Sequence, residues 1–463
     1  MLPAEAERAL AALERFGVHL GLERIRALLA ALGDPQRGLP TVLVGGTNGK
    51  GSTASLLAGI AGAAGHRTGL YTSPHLESVE ERVRVDGVPL PGDELGALAL
   101  EVVAAGDRLP EPPTWFEATT ALALVALRRR DVELAVLEVG LGGRLDATNA
   151  AEPLLSVITP LSLEHREHLG STLSAIAREK AGILRPGRPA VVWADPPEAA
   201  AALEAAARAA GARLHRADRE VEIESIAPLA GTAPPGLPAA GASRSPRPGE
   251  PPAGPWSGQH LVLATPEGRY ALDVPLLGRH QAVNAALAIR AAELLAVDGW
   301  RLDAAAIAQA AARWHWPGRL EVVALPPGAP ARRVLLDAAH NPGSAQALAA
   351  FLAAPPEPFP APPVLLFGVL ADKEAGAMLP PLAALAGPVI LTRPPTDRGR
   401  DPHELLPLLP GRGARVEPDP SSALDRALAA AGTRGTVVIC GSIYLVGASR
   451  RELRSRFGTP TPP

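Results

Sequence analysis

The chain of 463 residues has a single cysteine, Cys440, which excludes an internal disulfide framework and suits a reducing compartment. The expected address is the cytoplasm. Charge of neither sign is in excess: the net charge is −3 and 20% of residues are charged. A nucleic-acid footprint spread over the surface and a polybasic membrane anchor are therefore excluded, and any anionic partner must be met locally. No uninterrupted apolar run approaches the ~20 residues needed to cross a bilayer. Residues 2–31 carry Glu5, Glu7, Arg8, Glu14 and Arg15 among apolar positions, a pattern that reads as an amphipathic helix and not as a signal peptide.

The length allows two or three domains at roughly 150 residues each. Short β-rich runs at 41–45, 68–72, 134–139, 154–159 and 189–193 alternate with Ala/Leu-rich helical stretches. Strands separated by helices imply right-handed crossovers and a mainly parallel sheet. A second series, with strands at 334–337, 364–368, 388–392 and 436–440 and a helix at 344–351, follows Trp316-Pro317-Gly318. The expected fold class is thus α/β: a phosphate-loop domain at 1–316 and a smaller Rossmann-like domain at 317–463. Residues 227–258 turn to Pro, Gly, Ala and Ser, too polar and too broken to bury a core, and read as a disordered insertion. Residues 261–274 read as a hairpin turning at Pro266-Glu267-Gly268, and 282–296 as one more helix of the first domain.

The segment Val44-Gly45-Gly46-Thr47-Asn48-Gly49-Lys50-Gly51-Ser52 joins a strand to an apolar helix at 54–64. Glycines there let backbone N–H groups converge on phosphate oxygens, and Lys50 can reach the outer phosphates. The spacing departs from the ordinary phosphate-loop pattern, because Val44 stands where the first glycine belongs and Gly51 separates Lys50 from Ser52. Glu138 lies near the carboxyl end of an apolar strand, where open α/β sheets hold ligands and a carboxylate can carry Mg²⁺. His165 and His168 both follow a strand end, and spacing does not choose between them. Lys180, in an Arg-Glu-Lys helix, reads from its neighbours as an exposed charge.

Further ordered segments join these: Leu20-Gly21-Leu22-Glu23-Arg24-Ile25, Thr72-Ser73-Pro74-His75-Leu76, Glu81-Arg82-Val83-Arg84-Val85, Thr114-Trp115-Phe116-Glu117, the run from Leu137 to Asn149, Arg178-Glu179-Lys180-Ala181-Gly182-Ile183, Pro317-Gly318-Arg319 and Asp337-Ala338-Ala339-His340-Asn341-Pro342. Over nearly its whole length the chain resembles the folylpolyglutamate synthase/dihydrofolate synthase family, a branch of the Mur-type ligases. The resemblance implies an ATP-dependent, ADP-forming ligase in which a carboxylate of dihydropteroate or a reduced folate becomes an acyl phosphate and the amine of L-glutamate attacks it. It implies that Thr47, Asn48, Gly49, Lys50, Gly51 and Ser52, with Asn284, Arg319 and Asp337, hold ATP. Ser73, Glu138 and His165 are implied as ligands of Mg²⁺, two ions in all, and Lys180 as a carbamylated lysine. For the pterin-containing acid it implies His19, Leu20, Gly21 and Leu22, then Thr114, Trp115, Phe116 and Glu117, then Leu145, Asp146 and Ala147. The catalytic set becomes Lys50, Glu138, His165 and Lys180. The expected partners are these small molecules alone, without nucleic acid or membrane, and the expected state is a monomer.

Two departures stand out: His19 replaces an aspartate of some dual-activity members, and Glu164 replaces the aspartate that commonly precedes the metal histidine. Read alone, Asp337 also fits a helix N-cap. The competing readings are a Mur-type ligase for another acid, such as a UDP-linked precursor, and a phosphate-loop ATPase switch without ligase chemistry. The first expects a substrate domain ahead of the loop, where only 44 residues precede Gly45. The second leaves the Asp337 segment without a use.

Overall fold

The computed structural model describes residues 2–17, 19–229 and 256–458. The strands are β1 (Thr41–Gly45), β2 (Thr68–Tyr71), β3 (Val83–Val85), β4 (Val88–Pro89), β5 (Leu134–Glu138), β6 (Pro153–Ile158), β7 (Pro189–Val192) and β8 (Arg213–Arg216), then β9 (Glu222–Pro228), β10 (Gln259–Ala264) and β11 (Arg269–Val274), and finally β12 (Glu321–Ala324), β13 (Arg333–Leu336), β14 (Val364–Phe367), β15 (Val389–Leu391), β16 (Arg415–Val416) and β17 (Thr436–Cys440). The first eight form one sheet in the order β4-β3-β2-β5-β1-β6-β7-β8, and the last six another in the order β12-β13-β17-β14-β15-β16. Each sheet is parallel except at one edge, where β3 and β4, and in the second sheet β12, run antiparallel. β1 and β5 are buried at every position, as strands covered by helices on both faces must be. The α/β expectation thus holds, with a large mainly parallel sheet and a second Rossmann-like sheet.

The chain divides into two compact units, Met1–Ile223 with Leu263–Tyr270 and Val283–Ala311, and Glu224–Val262 with Ala271–Ala282 and Ala312–Pro463. β9 to β11 make a small three-stranded sheet. The backbone of Thr265 bonds to Gly268 at the hairpin turn. Of the Pro/Gly-rich stretch, residues 230–255 lie outside the described residues.

Around the first sheet lie α1 (Ala4–Ala11), α2 (Glu23–Ala31), α3 (Lys50–Ala63), α4 (Gly92–Gly106), α5 (Trp115–Arg129), α6 (Arg166–Leu169) and α7 (Leu173–Ala181). Residues 2–31 are not one helix: Gly17, at φ 63°, breaks the path between α1 and α2, a conformation that glycine adopts without the Cβ penalty. α3 starts at Lys50, four residues before the apolar run that suggested it. The core of the first unit joins Leu43, Tyr71, Leu137 and Ile158 from the strands to Ile25, Leu28, Leu29 and Leu124 from the helices. That of the second unit gathers Leu335, Leu365, Phe367 and Val438 with Leu348, Met378 and Leu382.

Leu43 is fully buried on the strand between β5 and β6. Leu43→Ala should lower the unfolding free energy by about 2–5 kcal/mol through lost burial and a residual cavity. In urea titration this appears as a lower midpoint with an unchanged slope.

Candidate active site

Parallel pairing brings the carboxyl ends of β1, β2, β5 and β6 to one edge, with Val44 beside Glu138, Tyr71 beside Leu137 and Gly45 beside Ile158. The glycine loop leaves from that edge. Gly46 sits at φ 128°, and a Cβ there would come 2.0 Å from Thr159 Oγ1. Gly49, the N-cap of α3, sits at φ 92°, and its Cβ would come 2.1 Å from Asn284 Oδ1. Only glycine fits either place. No side chain caps α3, so the first-turn N–H groups of Lys50, Gly51 and Ser52 have no intrahelical acceptor and form a site for an anion.

Two of the loop amides are engaged within the chain. Thr47 and Asn48 donate their backbone N–H groups to Pro160 O at 3.2 and 3.3 Å, while their side chains bond to Ser162. These two residues fasten the loop to the segment after β6, and the converging donors begin at the helix. Lys50 folds back, its Nζ 3.0 Å from Thr47 O. Thr159, Pro160 and Ser162 were not singled out from sequence; their signal was their place just past a strand adjacent to β1.

At the end of β5 Glu138 is buried, and its Oε2 accepts the Ser73 N–H at 2.9 Å. The backbone of Ser73 and the Glu138 carboxylate thus meet at the edge, and a carboxylate oxygen is a ligand of the kind Mg²⁺ prefers. His165 heads α6 at φ 51°, with Nε2 3.6 Å from Glu164. His168 stands beside Glu167. Among the described residues no three His, Cys, Asp or Glu side chains cluster as a metal site.

Lys180 is not an exposed charge. It is 5% exposed, on the face of α7 that also buries Ile176, Ala177 and Ala181, and Nζ donates to Gly46 O at 2.6 Å. Burial, and then the Lys50 charge, lower its pKa to about 7, against the pull of Glu164 and Asp146. The glycines after Glu138 allow the approach. A Cβ on Gly143 would meet Lys180 O at 2.8 Å, and one on Gly140 would meet Phe116 Cζ at 2.4 Å.

Of the segments implied for the acid substrate, Thr114 and Glu117 form a capping box at the start of α5, which satisfies two first-turn groups reciprocally. Trp115 lies under the Arg82 guanidinium, 4.5 Å from Cζ to the ring centroid, and Arg82 Nε donates to His75 Nδ1 at 3.0 Å. Phe116 packs on Tyr71 at 6.3 Å. Leu20 is exposed, and Gly21 and Leu22 lead into α2. Leu145 precedes Asp146, a buried N-cap of a short 3₁₀ turn that holds Ala147; its carboxylate accepts from Leu141 N, Thr148 N and Thr148 Oγ1. Burial raises its pKa.

In the second unit Asp337 follows β13 and accepts from Leu320 N and Ala339 N, each at 2.9 Å. It thereby fixes the Gly318-Arg319-Leu320 turn, where Arg319 bonds to Gly318 O. It is not a helix N-cap: Asn341 caps Pro342–Ala353, being the residue next to Pro342 at the first helical position.

The Mur ligase middle domain is matched over residues 44–226 and the Mur ligase, glutamate ligase domain over residues 318–443, so the class of protein is a Mur-type ligase. The chain is 35% identical over 437 residues to the folylpolyglutamate synthase of Lacticaseibacillus casei, covering 93% of this chain and 94% of that one. It is 36% identical over 457 residues to a probable bifunctional folylpolyglutamate synthase/dihydropteroate synthase of Haloferax volcanii, covering 96% of this chain and 50% of the relative; it spans about half that protein's length. A solved structure, E. coli FolC in complex with DHPP and ADP, matches with a TM-score of 0.81 at 31% identity, covering 97% of this chain and 98% of that one. The chain belongs to the folylpolyglutamate synthase/dihydrofolate synthase family.

Because Lys180 titrates at about 7 in the folded chain against 10.5 as its ordinary value, only the unfolded state holds the proton between those values. Stability therefore rises with pH through that window, and the penalty is greatest below it. In CO₂-free buffer, Lys180→Met should gain most over the parent at about pH 6 and least at about pH 10 in urea unfolding. A difference independent of pH would show that the amine is not buried as described.

Proposed function

We propose that the chain ligates L-glutamate to the carboxylate of dihydropteroate, of a reduced folate, or of both, converting ATP to ADP and phosphate. The observation that carries this reading is the uncapped start of α3, with Lys50 in its first turn, beside the Ser73–Glu138 pair. A carboxylate is a poor acyl donor because its leaving group would be an oxide. Once the γ-phosphoryl group has passed to it, the glutamate amine adds to the acyl carbon, phosphate departs, and the amine proton is lost. Protein catalysis here is positioning and charge neutralisation. The α3 amides and the Lys50 ammonium hold the transferred group and offset its charge, and Thr47, Asn48 and Asn284 are taken with them as nucleotide residues.

Mg²⁺, two ions in this reading, would neutralise phosphate charge from Ser73, Glu138 and His165; the first two supply the oxygen ligands it prefers. Lys180 is a carbamate in this reading. Its depressed pKa leaves much of the amine neutral at neutral pH, as attack on CO₂ requires, and the resulting anion would relieve the crowding of two cations. Residues 1–316 and 317–463 are taken as the functional domains, the second adding Arg319 and Asp337 to the nucleotide residues. The segments around His19, Trp115 and Asp146 serve the pterin. The chain is taken as a cytoplasmic monomer, and the lone Cys440, free and buried, fits a reducing compartment.

ADP release with ATP, Mg²⁺ and glutamate should appear when dihydropteroate or tetrahydrofolate is added; no stimulation by either would sink the assignment. Lys50→Ala should abolish turnover with an unchanged far-UV spectrum. Protein equilibrated with ¹³C-bicarbonate should show a carbamate resonance that Lys180→Met lacks, and persistence of that resonance would place the modification elsewhere.

A further inference from the structure

Arg24 belongs to none of the segments just given a role in contacting substrate, yet its guanidinium joins two of them. Nε donates to Glu117 Oε2 at 3.2 Å, Nη2 reaches His19 O at 3.4 Å, and Nη1 lies 3.7 Å from Glu111. The three partners differ in weight. Glu111 is 75% exposed, and such a pair contributes little. Glu117 is 3% exposed, and a buried carboxylate left without its cation is costly. Of its two oxygens, Oε2 takes both the Thr114 N–H and Arg24, while Oε1 is buried with no hydrogen-bond partner. The carboxylate is therefore held from one side only, by its own helix and by a residue 93 positions away.

We propose that Arg24 is a positioning residue for the acid substrate: it clamps Glu117 at the start of α5 and ties the 19–22 loop to it, so that the two substrate segments keep one geometry. The proposal rests on the pterin-acid reading above. A planar fork is what this role needs, since one group must donate in divergent directions, which an ammonium on a flexible stem does less well. Glu117 keeps its place in the capping box and at the positive end of α5 when Arg24 is gone, so the helix itself survives the loss. What is lost is the link between the segments.

The test uses the full chain, with the acid, dihydropteroate or tetrahydrofolate, that supports ADP release by the parent. If neither does, the ligase reading fails before the clamp is reached; if one does, the variants decide the clamp alone. Arg24→Gln should raise KM for the acid about tenfold or more, as loss of preorganisation does, with KM for ATP and kcat at saturating acid within about twofold of the parent. Arg24→Lys should recover part of that rise. Glu117→Gln should reproduce it, and the double variant should be no worse than the worse single, as for two groups acting as one unit. An unchanged acid KM, a parallel change in ATP KM and kcat, or additive effects in the double variant would each overturn the clamp. Failure of both Arg24→Gln and Arg24→Lys to give the parental near-UV spectrum would assign the arginine to the fold and overturn it equally.

Discussion

The hydrogen bond from Lys180 to the carbonyl of Gly46 ties α7 to the glycine loop at the carboxyl edge of the first sheet. It spans 134 positions of sequence and meets the glycine loop at the residue where Thr159 leaves no room for a side chain. Around it the turn after β5 closes on α7: Arg144 N bonds to Glu179 O, and Gly143 lies against the Lys180 backbone. The loop, the turn and the helix thus share one buried contact. Burying an amine is tolerable because the protein can shed its charge, and the lowered pKa expresses that choice. Lys50 and Lys180 repel one another across the loop, and both are suited to anions arriving between or upon them.

The central strands and the phosphate loop were legible in the sequence because their signals are local. Apolar runs flanked by glycine and helical stretches marked β1, β5 and β17, and each strand was placed to within a residue or two. Lys180 was not legible from its neighbours, because Arg178, Glu179 and Lys180 together look like a solvated face; only the turn of α7 separates the third from the other two. The start of α3 was missed for a related reason: Gly49 and Gly51 are poor helix formers, yet the loop's hydrogen bonds to Thr159 and Pro160 hold the turn that leads into it. Arg24 carries no periodic or motif signal of its role, since its partner is far along the chain. Asp337 also fits a helix N-cap from sequence because it precedes a helix, but its carboxylate is engaged with the backbone of its own turn and that of residue 320.

α5 joins a buried body to an end that carries two aromatic side chains. Its length is almost wholly buried, from Glu117 to Leu127, so it belongs to the core. Its first turn alone presents Trp115 and Phe116, the latter against Gly140 and Tyr71. Rigid support of this kind is what the proposed ligase reading asks of the residues in that first turn.

Two glycines of the loop, Gly46 and Gly49, constrain sequence drift in the family. Each is hemmed in by a side chain from a distant segment, Gly46 by Thr159 and Gly49 by Asn284. The loop motif is therefore not a self-contained cassette. A lineage that altered Thr159 or Asn284 would change which loop backbones are admissible, and one that altered the loop would free those two positions. Transplanting the loop into another parallel sheet would carry the letters without the walls that shape them.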